Sequence, residues 1–210
     1  MSAVLQPSSR MDPTAFLAWE EHQPGRHEFV DGEVYAMSGA TSTHNTIAGN
    51  LYMALRQGLR GTPCRTHIEG VKVHIQAADS VLYPYVFVTC DPVDLTPERD
   101  THKTSPTLVV EVLSPATAAY DRGRKFELYQ QLPSLKEYVL VEADRPHVDL
   151  FRRNAEGLWV LHPAGPGAVL DMASVGLSLT LDQVYEEVDF DLSRAFLQDR
   201  IEPSAGPAAS

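Results

Sequence analysis

Apolar and polar positions along this chain follow two periods, and the switches between them mark out the elements. After Asp12-Pro13, a good helix start, Phe16, Leu17 and Trp19 give a short apolar side that Pro24-Gly25 ends. His27 to Val30 and Glu33 to Met37 read as two strands around Asp31-Gly32, a two-residue hairpin signal. Ile47, Leu51, Ala54, Leu55 and Leu59 recur at helical spacing, with Thr43 placed to cap the start and Gly61 the end. Cys64 to Gln76 then alternates, with Val71, Val73 and Ile75 on one face. Leu82 to Val88, with Pro84 near its beginning, is expected to pair antiparallel with it. Asp91 to Pro106 is polar and charged, the pattern of a surface loop.

The run Leu108-Val-Val-Glu111-Val-Leu113, bounded by Pro106 and Pro115, reads as a central strand covered on both faces. Asp121 to Leu132 follows as a helix stopped by Pro133, its stripe formed by Lys125, Leu128, Tyr129 and Leu132. Glu137 to Glu142, His147 to Arg152 and Leu158 to His162 are further strands, and Pro163 to Gly167 a loop. Thr180 with Gln183 makes a capping box for a last short helix ending near Glu187. The expected organisation is a tail over residues 1–10, one domain over 11–188 and an extension over 189–210, partly helical and then disordered.

Two charges break this apolar pattern. Strand alternation places Glu111 on one face with Val109 and Leu113, and helical spacing turns Lys125 toward the sheet. A carboxylate and an ammonium pointing into the same space make either a structural ion pair or half of a metal-hydrolase site. His44 and Asn45 fall in the first turn of their helix, where backbone donors favour an anion such as phosphate; capping alone accounts for them equally well.

Composition narrows the reading. A net charge of -11 opposes nonspecific nucleic-acid binding over the whole surface but leaves room for a local basic cleft, for which Arg122, Arg124 and Lys125 are candidates beside their reading as a solvated face. No apolar run could span a bilayer, and residues 1–10 lack a signal-peptide pattern, so a cytoplasmic location is expected. In that setting Cys64 and Cys90 are expected to be reduced, semi-buried strand-end residues. Eight scattered histidines form no zinc pattern, and no P-loop, dinucleotide fingerprint or Gly-x-Ser-x-Gly elbow occurs.

Several strings in order, His27-Glu28-Phe-Val-Asp-Gly32, Ser38-Gly39-Ala40 with His44-Asn45, Tyr83-Pro84, and Val110-Glu111-Val-Leu-Ser-Pro115 with Asp121 to Lys125, resemble the PD-(D/E)XK nuclease superfamily and, within it, the bacterial Uma-type restriction-endonuclease family. The resemblance runs from about Asp12 to Val188. It implies an α+β, restriction-endonuclease-like core: a central mixed β-sheet flanked by helices, with an N-terminal hairpin and C-terminal antiparallel strands. It also implies a phosphodiesterase site dependent on Mg2+ or Mn2+, since a hard cation takes oxygen ligands and polarises phosphate. Glu111 matches one metal-binding carboxylate, Glu28 an acidic position that adds a ligand, and Lys125 the basic residue. His44 and Asn45 at the helix start and Arg122 and Arg124 in the basic run are the candidate substrate contacts on the residue reading above. Where the family has Pro-Asp, this chain has Pro84-Tyr85, a phenol in place of a carboxylate, so a weak metal site is expected. The implied activity is DNA hydrolysis, weakened or lost. The alternative is a nucleic-acid-binding or dimeric assembly protein of the same fold, and the partners considered are DNA and a second copy of the chain.

Overall fold

The computed structural model describes residues 4–5, 11–37 and 39–190. Most of the stretches expected to be tails, residues 1–10 and 189–210, lie outside the described residues; within the first, Val4–Leu5 forms strand β1. Helix α1 (Pro13–Glu20) starts where Asp12 accepts the Ala15 N–H at 2.8 Å. Strands β2 (His27–Val30) and β3 (Glu33–Ala36) are the expected hairpin. Its turn puts Asp31 at φ 53° and Gly32 at φ 86°, the left-handed pair that matches strand twist. Helix α2 (Ser42–Gly58) begins earlier than expected, because Thr41, not Thr43, has the extended backbone of a cap and its hydroxyl accepts the His44 N–H.

The two expected strands over 64–76 and 82–88 are each broken in two. Glu69 and Gly70, at φ 34° and 74°, separate β4 (Arg65–Ile68) from β5 (Lys72–Ile75). Tyr83-Pro84 separates β6 (Ser80–Leu82) from β7 (Val86–Thr89), since proline has no amide hydrogen for the ladder. The expected antiparallel pairing then occurs twice, β5 with β6 and β4 with β7, in different sheets. The 91–106 segment is more than a surface loop. Asp94 is fully buried and gathers the Thr89 hydroxyl and the N–H groups of Thr104 and Ser105, while β8 (His102–Lys103) pairs with β5.

Strand β9 (Pro106–Leu113) carries Glu111. The following helix starts before Asp121, running through α3 (Ala118–Tyr120), a π-helical turn over Asp121–Lys125 and α4 (Phe126–Tyr129). Strands β10 (Glu137–Glu142), β11 (Val148–Arg153) and β12 (Trp159–Ala164) complete the sheet, β12 reaching into the expected 163–167 loop. An unanticipated hairpin, β13 (Val169–Met172) and β14 (Leu177–Thr180), leads into α5 (Leu181–Val184), which has the expected Thr180/Gln183 capping box.

The result is an α+β fold. The main sheet, ordered β12-β11-β10-β9-β7-β4, is mixed because β9 and β10 run parallel while the other pairs are antiparallel. A second sheet is ordered β1-β3-β2-β6-β5-β8. One face of the main sheet buries Val86, Val88, Val110 and Val112 against Ile47, Leu51 and Leu55 of α2. The opposite face buries Phe87, Val109 and Leu113 against Leu128 and Tyr129 of α4 and against Val73 and Leu82 of the second sheet. Glu111 lies on this second face, as alternation requires.

One expectation is overturned here. Cys64 and Cys90 form a disulfide rather than two thiols. The reason is register: Arg65 pairs with Thr89 across β4 and β7, so the preceding and following cysteines stand opposite each other.

Candidate active site

The site lies where the two sheets and the helix after β9 meet. Burial of Glu111 at 1% and Lys125 at 5% exposure leaves neither charge water to lean on, so each must be matched by protein groups. Lys125 Nζ lies 3.0 Å from Glu111 Oε1 and 3.0 Å from Glu28 Oε1, with Asp121 Oδ1 at 3.8 Å. Each carboxylate comes from a different element: Glu28 from β2, Glu111 from β9, Asp121 from the π-helical turn. Glu28 Oε1 also accepts the Tyr83 N–H at 3.0 Å, and Glu111 Oε1 the Tyr129 hydroxyl at 3.4 Å.

One ammonium therefore faces three acids. Burial first, and then the charges of Asp121 and Glu28, push Glu111 up to about 8 against the opposing pull of Lys125. Asp121 is raised by burial too. For Lys125, burial works against the ammonium, but Glu111, Glu28 and Asp121 outweigh it and hold the group well above its ordinary value. The cluster keeps its lysine charged and favours a proton on Glu111 and Asp121.

Tyr85 stands beside this cluster, just before β7. Burial and then Glu111 push its phenol up to about 12, so it is neutral at physiological pH. Its ring stacks on His44 with centroids 5.9 Å apart. His44, at the start of α2, meets the Thr41 hydroxyl through Nδ1 at 2.6 Å, and burial lowers its pKa while the Leu113 backbone partly offsets the effect. The geometry thus brings together Glu28, Tyr85, Glu111, Lys125 and His44. Asn45 is exposed on the helix start next to His44.

The other two residues expected to meet substrate are engaged elsewhere. Arg122 pairs with Asp149 and Glu142, each at 2.6 Å, and Arg124 with Asp31 at 2.7 Å. Both guanidiniums are neutralised by carboxylates outside the Lys125 cluster. Sequence reasoning gave no role to three groups that the structure adds: Asp121, Tyr129 and Glu69. Asp121 had a signal, its i, i+4 spacing to Lys125. Glu69 had none, because only the register of β4 against β7, in which Ile68 pairs with Val86, brings its N–H to the Tyr85 carbonyl at 2.9 Å.

A hard divalent cation needs several oxygen donors, most of them anionic or water. Here the facing oxygens of Glu28 and Glu111 are taken by Lys125, and Tyr85 adds only a neutral phenol. Among the described residues no three of His, Cys, Asp and Glu are grouped to hold a metal ion, so the side chains as placed do not complete a magnesium seat.

Residues 13–182 match the sequence pattern of the family described as "Uma2: Putative restriction endonuclease". The chain is 38% identical over 184 residues to the "Uncharacterized protein slr1290" of Synechocystis sp., spanning 88% of this chain and 96% of that one. It is 28% identical over 146 residues to "Uncharacterized protein sll1609" of the same organism, spanning 70% and 82%. A crystal structure titled as a putative nuclease belonging to DUF820, from Anabaena variabilis, superposes with a TM-score of 0.67 at 14% identity, covering 83% of this chain and 97% of the other. That likeness is one of fold.

Proposed function

This chain belongs to the Uma2 family, and from that premise we propose that it is a nuclease-like protein acting on DNA phosphodiesters whose metal-dependent hydrolytic centre is weakened. Glu28 and Glu111 are the remaining acidic ligands in this reading, Lys125 is the basic residue of the site, and Tyr85 stands where the family's resemblance places an aspartate. The observation that carries it is the placement of the neutral Tyr85 phenol beside two glutamates already bridged by Lys125. Loss of a partner outside the metal's own ligand set costs ~10–100-fold in affinity or activity, and replacement of a ligand should cost at least as much.

The test is a Mn2+ and Mg2+ titration by calorimetry together with nicking of supercoiled plasmid, on the native chain, Tyr85→Asp, and Tyr85→Asp combined with Glu111→Ala. Tyr85→Asp is expected to gain at least about tenfold in metal affinity and to raise cleavage. The added Glu111→Ala change should abolish both gains. A Tyr85→Asp variant that gains neither would defeat the reading, as would a native chain whose Glu111-dependent cleavage is already as fast as that of Tyr85→Asp.

A further inference from the structure

Three arginines without an ion pair lie together at the far end of β4 from the candidate active site; Arg99 and Arg153 also lack one among the described residues but are engaged by His102 and by the Leu132 and Gln130 carbonyls. Arg56, Arg60 and Arg65 line an open cavity of about 220 Å³ formed by the last turn of α2, the loop after it and the start of β4. None of the described residues lining it is acidic, in a chain of net charge -11. Arg122, Arg124, Arg145 and Arg152 are each paired with a carboxylate, whereas these three have no ion pair among the described residues. Arg65 is anchored through Nη1 alone, to the carbonyls of Thr62, Pro63 and Cys64, which fixes the guanidinium while leaving its other nitrogens to act. The Thr66 hydroxyl, also in the lining, is buried with no hydrogen-bond partner. A helix C-terminus favours one cation in its last turn, which accounts for Arg56, but it does not call for Arg65 from the neighbouring strand or for an idle hydroxyl.

We infer that the Arg56, Arg60 and Arg65 cavity is a binding site for the phosphate backbone of nucleic acid. Planar guanidiniums are the donors that match phosphate oxygens. The choice of nucleic acid as the polyanion rests on the nuclease-like reading above. β4 links the two sites: Arg65 opens it and Glu69, which follows its last residue, contacts Tyr85. Four residues of strand span ~13 Å, within the reach of one short oligonucleotide.

The experiment is fluorescence anisotropy with labelled single- and double-stranded 20-mers in EDTA, where no metal-dependent step can contribute. The native chain should bind with strong salt dependence. Arg56→Gln combined with Arg60→Gln should weaken binding at low salt by about tenfold or more and lower the salt slope by about 2. Lys136→Gln combined with Arg145→Gln removes the same charge from exposed positions elsewhere and should leave binding within about twofold, as a pure net-charge effect would not. Circular dichroism and melting confirm that each variant is folded. Failure of the native chain to bind, equal losses in both double variants, or binding of inorganic pyrophosphate without binding of either oligonucleotide would each overturn the inference. Because no cleavage is read, a failed Tyr85→Asp rescue leaves this test intact.

Discussion

At the scale of single residues, Lys125 decides the balance of the buried cluster. It is the counter-ion shared by Glu28, Glu111 and Asp121, and removing one partner of a buried ion pair leaves uncompensated charge. Lys125→Met should therefore cost about 3–5 kcal/mol at pH 7, read from urea unfolding. The pH dependence has a definite sign. Glu111 in the folded protein titrates near 8, above its unfolded value, so the folded state binds the extra proton between the ordinary carboxylate range and about 8. Its contribution to stability thus falls as pH rises through that window. Without the ammonium Glu111 and Asp121 move further up, so the loss in Lys125→Met should be larger at pH 8 than at pH 5. An unchanged midpoint at pH 8 would show that the lysine does not neutralise these acids. The same logic with opposite chemistry applies to His67, stacked on Phe87 and lowered to about 4 by burial and then Lys103. Its unfolded form takes up a proton first, so stability should drop as pH falls from 6.5 toward 4, and His67→Phe should flatten that acid slope in urea unfolding.

At the scale of elements, the helix that carries Lys125 shows what a sequence pattern can and cannot convey. The stripe Lys125, Leu128, Tyr129 and Leu132 is legible because burial follows helical spacing, and all four are buried. The wide π turn over Asp121–Lys125 is not legible, since it depends on the sheet and helix closing around the carboxylates rather than on any local preference. Gly123 sits inside it with open space where a side chain would project and no left-handed backbone requirement. Gly123→Ala should therefore stabilise by about 0.5–1 kcal/mol, raising the melting temperature in calorimetry. A loss of more than that would mean the turn needs glycine's freedom. The broken strands were partly announced. Gly70 and Pro84 are breakers inside otherwise periodic runs, but their reading as a change of sheet needs the partners β7 and β6 to be known. The convergence of Glu28 and Glu111 has the same status: alternation orients each side chain, and only the packing of one sheet on the other brings them to one ammonium.

At the scale of the whole molecule, the link between Cys64 and Cys90 sets how firmly β4, an edge strand, is held to the main sheet. Neither the spacing nor the composition points to it, because two cysteines 26 positions apart form no recognisable disulfide framework. The register of β4 against β7 supplies what composition could not, placing both cysteines at matching ends of one antiparallel pair. The bond closes a loop with a separation of 26 residues, for which loss of unfolded-chain entropy is worth about 3.5 kcal/mol. Cys64→Ser combined with Cys90→Ser should lower unfolding stability by roughly that amount in guanidinium, and reduction of the native chain should lower it equally. Because Cys64 also lines the arginine cavity, loosening this end of β4 should weaken oligonucleotide binding along with stability, while the Lys125 cluster at the strand's other end keeps its pH signature. If reduced and oxidised forms unfold at the same denaturant concentration, the cross-link adds nothing, and the ladder between β4 and β7 holds the edge unaided.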